Sequence, residues 1–532
     1  MVEENFFWAE KIAEQIRRRQ RLAYVDKKIP RVNSWSVKSS SSMSGVLHIG
    51  RLSDIIRGEA VFRALKSINF PADFIYVTDD MDPLRKVPAG VPKKFNQFIG
   101  FPVSDIPDPW QCHASYAGHF KTEFFAVFEE FLAFAPKVFS MRVEYKKGNF
   151  AESAVLLLKN KDRIREIIEG VQGKDPGEKW SPWKPICENC GSLQTTQIKG
   201  VEKGRVVYVC ADYAFETTVA KGCGYEGASS VRKGRGKLVW KSEWAAQWKR
   251  WKVCAEGAGK EYESSNSSFW VNARICEEIL GFPHAVPVFY EHLIIGGEKM
   301  SASKGNVVYP RDWLEVSRPE ALKYLYMKKL MRARSFKWDD VPVLEQELDR
   351  AIDSSDPQFK DYRKYINVKG RPLAAVPVEY NLIAFLAQLF DSNEKIMSNL
   401  VEIGKIPAKI PEEQLVAIEE RIGFAKKWLE KHASEGHKIR FLDKLDEENK
   451  KQIPGKIKKC LCMLSASLRG KRLDNEIHTA ISELSKKNNV SPRELFEGIY
   501  FALTGKNQGP KASTLILAFG KEKCLERFKE FC

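Results

Sequence analysis

The segment Ser42-Met-Ser-Gly-Val-Leu-His-Ile-Gly50 combines glycines with one histidine in a turn-rich stretch of the chain. Glycine lets the backbone approach a phosphate closely, and a helix that begins in such a segment points its positive N-terminus at an anion. A histidine placed there, His48, can donate a hydrogen bond to charge that develops on a transferring phosphoryl group. Because a histidine at a strand–helix junction is more often structural, the segment needs a second signal before it indicates nucleotide chemistry.

The second signal is the segment Lys299-Met-Ser-Ala-Ser-Lys-Gly305, about 250 residues further along the chain. It is a short loop with two lysines and two hydroxyl side chains, which suits it to clamp a triphosphate. In isolation the segment fits a solvated Lys-Ser loop equally well. Together the two segments favour the binding of a nucleotide phosphate.

Four cysteines have the spacing of a small metal-binding module. Cys187-x-x-Cys190 is followed by Cys210 and Cys223, and glycines flank the cluster. Four thiolates in this pattern are typical of a structural zinc ribbon, which the metal holds together without a large core. Four unrelated buried thiols would not explain the flanking glycines. A redox role is disfavoured because no βαβ pattern frames the Cys-x-x-Cys.

A second cluster places Asp108, Cys112, His113 and His119 within twelve residues. These four side chains could complete one tetrahedral metal site. Adjacent cysteine and histidine side chains often face different ways, however. The spacing alone therefore favours four unrelated residues over a metal site.

The elements that would position His48 follow the pattern of a parallel sheet. Residues 34–42 are a short extended stretch, and residues 74–77 are a buried strand that ends at Asp79 and Asp80. The helical stripe between them consists of Leu52, Ile55, Ile56, Phe62 and Leu65. Strand, helix and strand in about 45 residues predict the βαβ unit of a doubly wound sheet, whose ligands bind where a strand gives way to a helix.

Further along the chain the character of the sequence changes twice. Residues 176–236 are rich in proline, glycine and cysteine and lack helical periodicity, whereas strands are expected at 286–295 and 306–309. From about residue 375 the pattern is nearly all helix, with apolar stripes typical of a core.

We therefore predict an α/β Rossmann-like catalytic domain with a zinc-ribbon insertion, followed by an all-α C-terminal domain. The predicted boundaries are 1–175 and 237–310 for the two parts of the catalytic domain, the first with an N-terminal helix, 176–236 for the insertion, 311–374 for a connecting region and 375–532 for the helical domain.

Composition limits the class of protein. The 532 residues are enough for two to four domains, and 43% hydrophobic with 29% charged residues is typical of a globular protein. The net charge of +17 favours a polyanionic partner, although a solvated basic surface would carry the same charge. No apolar run approaches the roughly 20 residues that a bilayer crossing needs, and the N-terminus fits an amphipathic helix instead of a signal peptide. Eleven cysteines, an odd and partly clustered set, favour metal ligation in a reducing compartment, so we expect a cytoplasmic protein with no membrane partner.

The paired segments resemble the His-Ile-Gly-His and Lys-Met-Ser-Lys-Ser signatures of class I aminoacyl-tRNA synthetases. The block from Asp79 to Pro88 is similar to the Asp-Asp-x-Asp-x-x-Arg-Lys-Val-Pro block of class I lysyl-tRNA synthetases, and so are the Cys-His block and the four-cysteine ribbon. The resemblance covers essentially the whole chain and is most convincing over 1–340. It implies ATP-dependent attachment of L-lysine to tRNA(Lys) through a lysyl-adenylate, with Mg²⁺ sharing the charge of ATP, zinc in both clusters and no DNA partner.

The resemblance also implies roles for individual residues and regions. The connecting region would contact the tRNA stem, and the helical domain would grip the anticodon. Adenylate formation would be stabilised by His48 and Lys299, with Lys304 covering the inner lysine that Ala302 replaces. ATP would be bound by Ser42, Gly45, His48, Gly50, Gly259, Glu261, Lys299, Ser301 and Ser303. Lysine would be bound by Ser40, Ser42, Asp79, Trp244, Tyr262, Tyr290 and Glu291.

The aromatic residues in this set have a second interpretation. Trp240, Trp244 and Trp248 are spaced by four residues, which also fits a buried stripe on a helix. The core interpretation applies above all to Trp240 and Trp248.

The resemblance is incomplete at several positions. Arg51 stands where the signature has its second histidine, and Ser40 and Gln247 stand where many relatives have glycine and arginine. With Ala302, these departures motivate an alternative function, a catalytically weakened relative that binds tRNA without charging it. Arginyl, glutamyl or cysteinyl specificity within the class is a further alternative, which the Asp-rich and Cys-His blocks disfavour. A zinc-ribbon RNA-binding protein of unrelated chemistry would not explain the paired ATP signatures.

Overall fold

The computed structural model describes residues 7–88, 90–300, 306–470 and 474–532. Contacts divide the chain into two compact units. The first comprises Met1–Asp312, Leu322–Phe336 and Asp356–Pro372, and the second comprises Trp313–Ala321, Lys337–Ser355 and Leu373–Cys532. The connecting region predicted at 311–374 is thus shared between the two units, and the functional domain boundaries stay predictions.

The described residues form both parallel and antiparallel strands. Their bounds are β1 Trp35–Ser42, β2 Ala72–Asp79, β3 Lys137–Ser140, β4 Trp183–Pro185, β5 Thr196–Glu202, β6 Arg205–Cys210, β7 Tyr213–Ala214, β8 Val219–Ala220, β9 Glu226–Ser230, β10 Gly236–Leu238, β11 Val253–Gly259, β12 Val286–Tyr290, β13 Leu293–Ile295, β14 Glu298–Lys299 and β15 Arg334–Phe336.

Helices make up most of the remaining regular structure. Their bounds are α1 Trp8–Arg18, α2 Ile49–Ser67, α3 Tyr116–Phe125, α4 Phe128–Phe131, α5 Met141–Lys146, α6 Ala151–Lys159, α7 Lys161–Gln172, α8 Trp240–Trp251, α9 Ser268–Arg274, α10 Pro310–Val316, α11 Pro319–Met327, α12 Val341–Asp353, α13 Pro357–Ile366, α14 Tyr380–Leu386, α15 Asn393–Glu402, α16 Glu412–Lys431, α17 Glu447–Gln452, α18 Gly455–Ser467, α19 Asp474–Lys487, α20 Pro492–Thr504, α21 Ala512–Phe519 and α22 Lys521–Lys529. Short 3-10 helices cover Lys93–Phe98, Val231–Lys233, Lys260–Tyr262, Trp338–Asp340 and Glu435–His437, and a π-helix covers Ile275–Ile279. No helix among the described residues is long and apolar enough to cross a bilayer.

The first unit is built on a five-stranded parallel sheet in the order β12-β11-β1-β2-β3. The order reverses direction at β1, as in a doubly wound α/β fold, so the predicted Rossmann-like sheet is confirmed. Ser42 lies beside Asp79, and Gly259 lies beside Tyr290, at the carboxyl ends of their strands. In parallel sheets these ends form one edge where ligands bind, and the register therefore gathers predicted site residues along it.

Helix α2 begins at Ile49, directly after His48, as predicted. The predicted stripe is buried, and most of the other residues of α2 are buried as well. A helix that is enclosed on all sides has to pair its charged residues. Glu59 does so with Lys323, whose Nζ lies 2.6 Å from the Glu59 carboxylate, both groups being fully buried.

The strand predicted at 306–309 is wrong, because residues 306–309 form no strand. Val307 and Val308 have β-branched side chains that favour a strand. The carbonyl of Val308, however, accepts a hydrogen bond from the backbone N–H of Ile49 at 2.9 Å instead of joining a sheet. A helix leaves its first amide groups without partners inside the helix, and this long-range contact satisfies one of them.

Between β4 and β10 the chain forms small antiparallel sheets and one short 3-10 helix, in agreement with the predicted insertion. β4 and β10 pair with each other, so the insertion enters and leaves through adjacent strands. The backbone amides of Leu193 and Gln194 donate to the carbonyl of Gly100 at 3.0 and 2.9 Å. The Thr218 hydroxyl donates to the carbonyl of Arg85 at 2.5 Å. These bonds attach the insertion to the segment that follows β2.

The described part of the second unit is helical after residue 373, as the apolar stripes predicted. On α16 the buried face contains Arg421 among apolar residues such as Ile418 and Ile422. The Arg421 guanidinium pairs with Glu345 at 2.9 Å and with Asp349 at 2.7 Å. Arg318 pairs with the same two carboxylates at 2.8 and 2.7 Å. Two arginines and two carboxylates thus form a buried network that joins three separate segments of this unit.

One disulfide lies in the second unit. Cys462 on α18 and Cys532 are bonded, with 4.9 Å between their Cα atoms. The other nine cysteines are free, in agreement with the expectation that the cysteines do not form a disulfide framework.

Candidate active site

A cavity of about 510 Å³ opens at the carboxyl edge of the parallel sheet. Strand ends from β1, β2, β11 and β12 and the beginning of α2 supply its wall. Ten of the predicted site residues line it: Ser40, Ser42, His48, Gly50, Asp79, Trp244, Gly259, Glu261, Tyr262 and Tyr290. The sequence motifs that were separated along the chain therefore converge on one cavity.

Two further predicted ligand residues, Gly45 and Glu291, do not line this cavity. Gly45 lies in the loop before His48 and outside the lining. The Glu291 carboxylate pairs with the Lys260 ammonium at 2.9 Å, and Glu291 is also outside the lining. Lys299 ends β14. The predictions for Ser301, Ser303 and Lys304 lie outside the described residues.

Gly50 brings the two motif segments together. A Cβ atom at Gly50 would lie 2.9 Å from the Nδ1 atom of His48 and 2.9 Å from the methyl carbon of Met300. Only a residue without a side chain leaves room for both groups, so the contact explains why glycine stands here. Met300 belongs to the second segment, and the bond from Ile49 to Val308 lies just after it. The His48 imidazole is thereby placed at the N-terminus of α2 beside the second motif.

Trp244 forms the aromatic side of the cavity. Its ring stacks on that of Trp240 with 4.7 Å between centroids, and Tyr262 meets it edge-on at 5.1 Å. Trp240 also lines the cavity and packs with its partly buried ring against the hydrophobic core, so both interpretations apply to this residue. The core interpretation is confirmed for Trp248, which is fully buried and donates from Nε1 to Glu256 at 2.7 Å. An aromatic wall of this kind can cover the methylene chain of an extended substrate.

Asp79 ends β2 at the cavity. Burial, followed by the charge of Asp82, raises the pKa of its carboxyl group to about 7. Its nearest described donor is the neutral amide of Gln247, at 3.4 Å. An arginine at position 247 would hold Asp79 ionised, and glutamine does so less strongly. The substitution at 247 therefore acts directly on a predicted substrate ligand.

Ser40 belongs to a polar network below the cavity. The buried Lys38 ammonium forms an ion pair with Glu256 on the neighbouring strand and donates to the Ser40 hydroxyl at 3.4 Å. Because the hydroxyl accepts this hydrogen bond, a serine fits at this position without leaving an unsatisfied polar group.

Tyr290 is supported from behind by a buried arginine. The guanidinium carbon of Arg57 lies 4.5 Å from the centroid of the Tyr290 ring and 5.1 Å from that of Tyr326. Burial lowers the pKa of Arg57 to about 10, which still leaves it charged at neutral pH. The cation between two ring faces fixes the orientation of Tyr290 at the cavity wall.

Sequence reasoning missed several residues of the lining. Asp54, Glu256 and His292 contribute to it, and none of them belongs to a motif. Asp54 could have been noticed, since it is a carboxylate in a largely apolar helix, and carboxylates are rarely buried unless they are paired. Glu256 and His292 carry no comparable signal.

The four cysteines of the insertion are brought together. The Sγ atoms of Cys187 and Cys223 are 3.7 Å apart, and so are those of Cys190 and Cys210. Bonds of about 2.3 Å from zinc to sulfur in a tetrahedron place the sulfurs about 3.8 Å apart. The arrangement fits a four-thiolate metal site.

The second cluster is also brought together, contrary to the expectation from spacing alone. The Cys112 Sγ atom lies 3.2 Å from the Asp108 carboxylate, 3.1 Å from His113 Nδ1 and 3.3 Å from His119 Nδ1. All four ligand atoms lie within 4.8 Å of one another. One thiolate, one carboxylate and two imidazoles in this geometry fit a second tetrahedral metal site.

Comparisons with known proteins match nearly the whole chain. A family model described as tRNA synthetases class I (K) matches residues 6–368, and one described as an anticodon binding domain matches residues 436–532. The Lysine--tRNA ligase of Methanosarcina barkeri (strain Fusaro) is 30% identical over 99% of this chain and 98% of its own. Those of Archaeoglobus fulgidus and Methanosphaera stadtmanae are 29% and 28% identical over 94% and 98% of this chain and 97% and 99% of their own. A solved glutamate-tRNA synthetase from Elizabethkingia anophelis covers 94% of this chain and 99% of its own at 13% identity, with a TM-score of 0.41.

Proposed function

Because this chain belongs to the tRNA synthetases of class I (K), we propose that it attaches L-lysine to tRNA(Lys) at the expense of ATP. The observation that carries the proposal is the meeting of His48 and Met300 at Gly50, which joins the two ATP-binding segments at one cavity. The named relatives supply the amino acid, since all three are lysine–tRNA ligases.

The reaction has two steps. A carboxylate oxygen of lysine attacks the α-phosphorus of ATP, the bond to the bridging oxygen breaks, and pyrophosphate leaves. A ribose hydroxyl at the 3′ end of the tRNA then attacks the carbonyl carbon of the adenylate, loses its proton, and displaces AMP. Bound Mg²⁺ would share the negative charge of the triphosphate. No covalent intermediate with the protein is needed, so positioning and charge stabilisation supply the rate.

The side chains of the cavity suit these steps. The imidazole of His48 can donate to the α-phosphoryl oxygens, assisted by the N-terminus of α2. Lys299 and Lys304 are the cations for the leaving pyrophosphate. Gly259, Glu261 and Gly45 would hold the nucleoside and phosphates, and Trp244, Tyr262 and Tyr290 would cover the lysine side chain. Glu291, whose carboxylate pairs with Lys260, would interact with the lysine substrate from outside the lining of the cavity.

A pyrophosphate-exchange assay with each of the twenty amino acids, in the presence of tRNA, tests the proposal. Exchange that depends on lysine is the expected result. Exchange with arginine, glutamate or cysteine instead would give the chain a different specificity within the class. Binding of tRNA without any exchange would identify the non-charging relative that Arg51, Ser40, Gln247 and Ala302 suggest.

Two zinc ions are part of the proposal, one in each cluster. Replacing Cys187 with serine should remove one equivalent of zinc and destabilise the insertion, because three thiolates bind zinc less well than four. Metal analysis of the purified protein measures the change. Cys276→Ser, a buried cysteine of the same unit outside both clusters, should keep the full metal content. Equal zinc content in the wild-type protein and Cys187→Ser would contradict the assignment.

The helical domain is proposed to bind the anticodon. A truncation near residue 375 is a poor test, because it removes Arg421 from the Glu345 and Asp349 carboxylates with which it pairs. Point substitutions on the exposed surface avoid this damage. Lys456 and Lys459 lie exposed at the beginning of α18, within the residues that the anticodon-binding family model matches.

Lys456→Gln with Lys459→Gln should weaken tRNA binding and make it less dependent on salt. Each phosphate contact that is lost lowers the slope of log K against log salt by about 0.7–0.9. Filter binding over a range of salt concentrations measures the slope, and lysine-dependent exchange at saturating tRNA should keep its rate. Lys395→Gln, an exposed residue outside the matched range, is the control. An unchanged slope would place the RNA on another face.

A further inference from the structure

Tyr116 connects the second cluster to the loop that carries His48. This loop, residues 43–48, forms neither helix nor strand and links β1 to α2. The Tyr116 hydroxyl donates a hydrogen bond to the carbonyl of Ser44, four residues before His48, at 3.0 Å. Among the residues that the structure describes, this is the hydrogen bond that ties residues 44–46 to the rest of the chain. The position of the loop therefore depends on where Tyr116 lies.

Packing between this loop and α3 is loose. Val46 and Leu47 share the lining of a cavity of about 290 Å³ with Phe120 and Phe124 of α3. Side chains that border a cavity lack some of the contacts that fix side chains in a close-packed core. One directed hydrogen bond thus contributes a larger share of what positions the loop than it would in a dense region.

The Tyr116 side chain is itself held firmly. It is fully buried, and its ring meets that of Phe120, one turn further along α3, edge-on with 4.9 Å between the centroids. Burial raises the pKa of the phenol above its ordinary value, so the hydroxyl stays protonated and able to donate. The hydrogen bond to Ser44 is therefore a permanent contact, and the start of α3 sets its position.

The second cluster surrounds the start of α3. The helix begins at Tyr116, with His113 three residues before this tyrosine and His119 three residues after it. The Nδ1 atoms of the two histidines lie 3.1 and 3.3 Å from Cys112 Sγ. A metal ion bound by these side chains would join the segment before the helix to its first turn. Because Tyr116 lies between two of the ligands, the ion would fix its position as well.

We propose that Tyr116 is a positioning residue for adenylate formation, which holds the loop in front of His48 and is held in turn by the metal ion of the second cluster. The assignment rests on the proposed function. Tyr116 and the four residues of the second cluster are not among those that line the cavity, so they would act on the reaction only through the loop. A small displacement of a catalytic group is enough to lower the rate, even when the change lies away from the reacting atoms.

The test is Tyr116→Phe, which removes only the hydroxyl. The kcat of lysine-dependent pyrophosphate exchange should fall about 3- to 10-fold, the change that corresponds to one ordinary hydrogen bond. In a His48→Ala background the same substitution should have almost no further effect, because Tyr116 acts through His48. Tyr380→Phe is the matched control, since its buried hydroxyl also donates to a carbonyl, that of Val316 at 2.9 Å, but within the second unit. This control should catalyse pyrophosphate exchange at the wild-type rate.

Amide hydrogen exchange provides a measurement that does not depend on catalysis. The amides of residues 44–48 should exchange about 3- to 10-fold faster in Tyr116→Phe than in the wild-type protein, because the bond that restrains the loop is gone. Cys112→Ser should lose one equivalent of zinc and show the same faster amide exchange, and adding Tyr116→Phe to it should change neither quantity further.

Unchanged amide exchange at residues 44–48 in Tyr116→Phe or in Cys112→Ser would overturn the assignment. So would an equal loss of kcat on adding Tyr116→Phe to the wild-type protein and to His48→Ala, because such a loss would not pass through His48. A wild-type protein without lysine-dependent pyrophosphate exchange, in which these amides still respond as expected, would instead refute the proposed function and leave the connection from the second cluster to the loop in place.

Discussion

Replacing His48 with alanine should lower the rate of lysine-dependent pyrophosphate exchange by about 10²–10³-fold, the usual loss when one donor to a developing oxyanion is removed. His48 lines the cavity at the N-terminus of α2, beside the segment that contains Met300. Its effect should fall on kcat, because the imidazole is placed for charge that grows in the transition state. The affinity for tRNA should stay nearly unchanged. Exchange kinetics and filter binding on the same preparation separate the two quantities.

His48→Gln is the matched variant for this experiment. Its side-chain amide can still donate a hydrogen bond, so it should recover part of the rate that alanine loses. His478→Ala removes a histidine of the second unit whose ring stacks on that of Phe496 and which is not among the residues lining the cavity, and it should exchange at the wild-type rate. Wild-type exchange by His48→Ala would show that this histidine is only structural.

Replacing Glu345 with glutamine should destabilise the second unit by about 3–5 kcal/mol, the usual cost of breaking a buried ion pair from one side. Arg318 and Arg421 are both nearly fully buried, and each would lose one of its two carboxylate partners. Urea unfolding of the variant measures the loss. Glu412→Gln, at the exposed beginning of α16, should unfold at the wild-type midpoint.

The same network gives the expected pH dependence. Burial alone would raise the pKa of Glu345, but the charges of Arg318 and Arg421 outweigh it and lower the pKa to about 2, from a usual value of 4.5. The folded state therefore binds this proton less readily than the unfolded state. The stabilisation is complete above pH 4.5 and is lost as the pH falls toward 2. Glu345→Gln should lose less stability than the wild-type protein over this range, and a parallel loss would contradict the network.

The parts of the fold that sequence predicted depend on local patterns. β1 and β2 follow from short extended and apolar runs, α2 from helical periodicity and the ribbon from cysteine spacing, because all of these signals lie within a few dozen residues. The strand at 306–309 failed because a backbone bond from Ile49, over 250 residues earlier in the chain, decides the conformation of Val308. Arg421 has the sequence signature of a surface residue, and only its distant partners in space explain its burial.

The candidate site was predictable where a motif fixed it. His48, Gly50 and Asp79 were found because their neighbours in sequence are distinctive. Asp54 and Glu256 were missed because each acts through residues that only the folded sheet brings near. The sequence left the role of Trp240 open because a stripe spaced by four residues fits a buried helix face and a cavity wall equally well.

The docking of the ribbon limits how this protein could be reduced in size. β4 and β10 lie side by side, so an engineer could join their ends and delete everything between them without straining the chain. The deletion would nevertheless remove the amides that hold the Gly100 carbonyl and the hydroxyl that holds the carbonyl of Arg85, a residue of the cavity lining. A shortened protein would keep its sheet but lose the support of one cavity wall. Any minimal version would have to rebuild that support with new contacts.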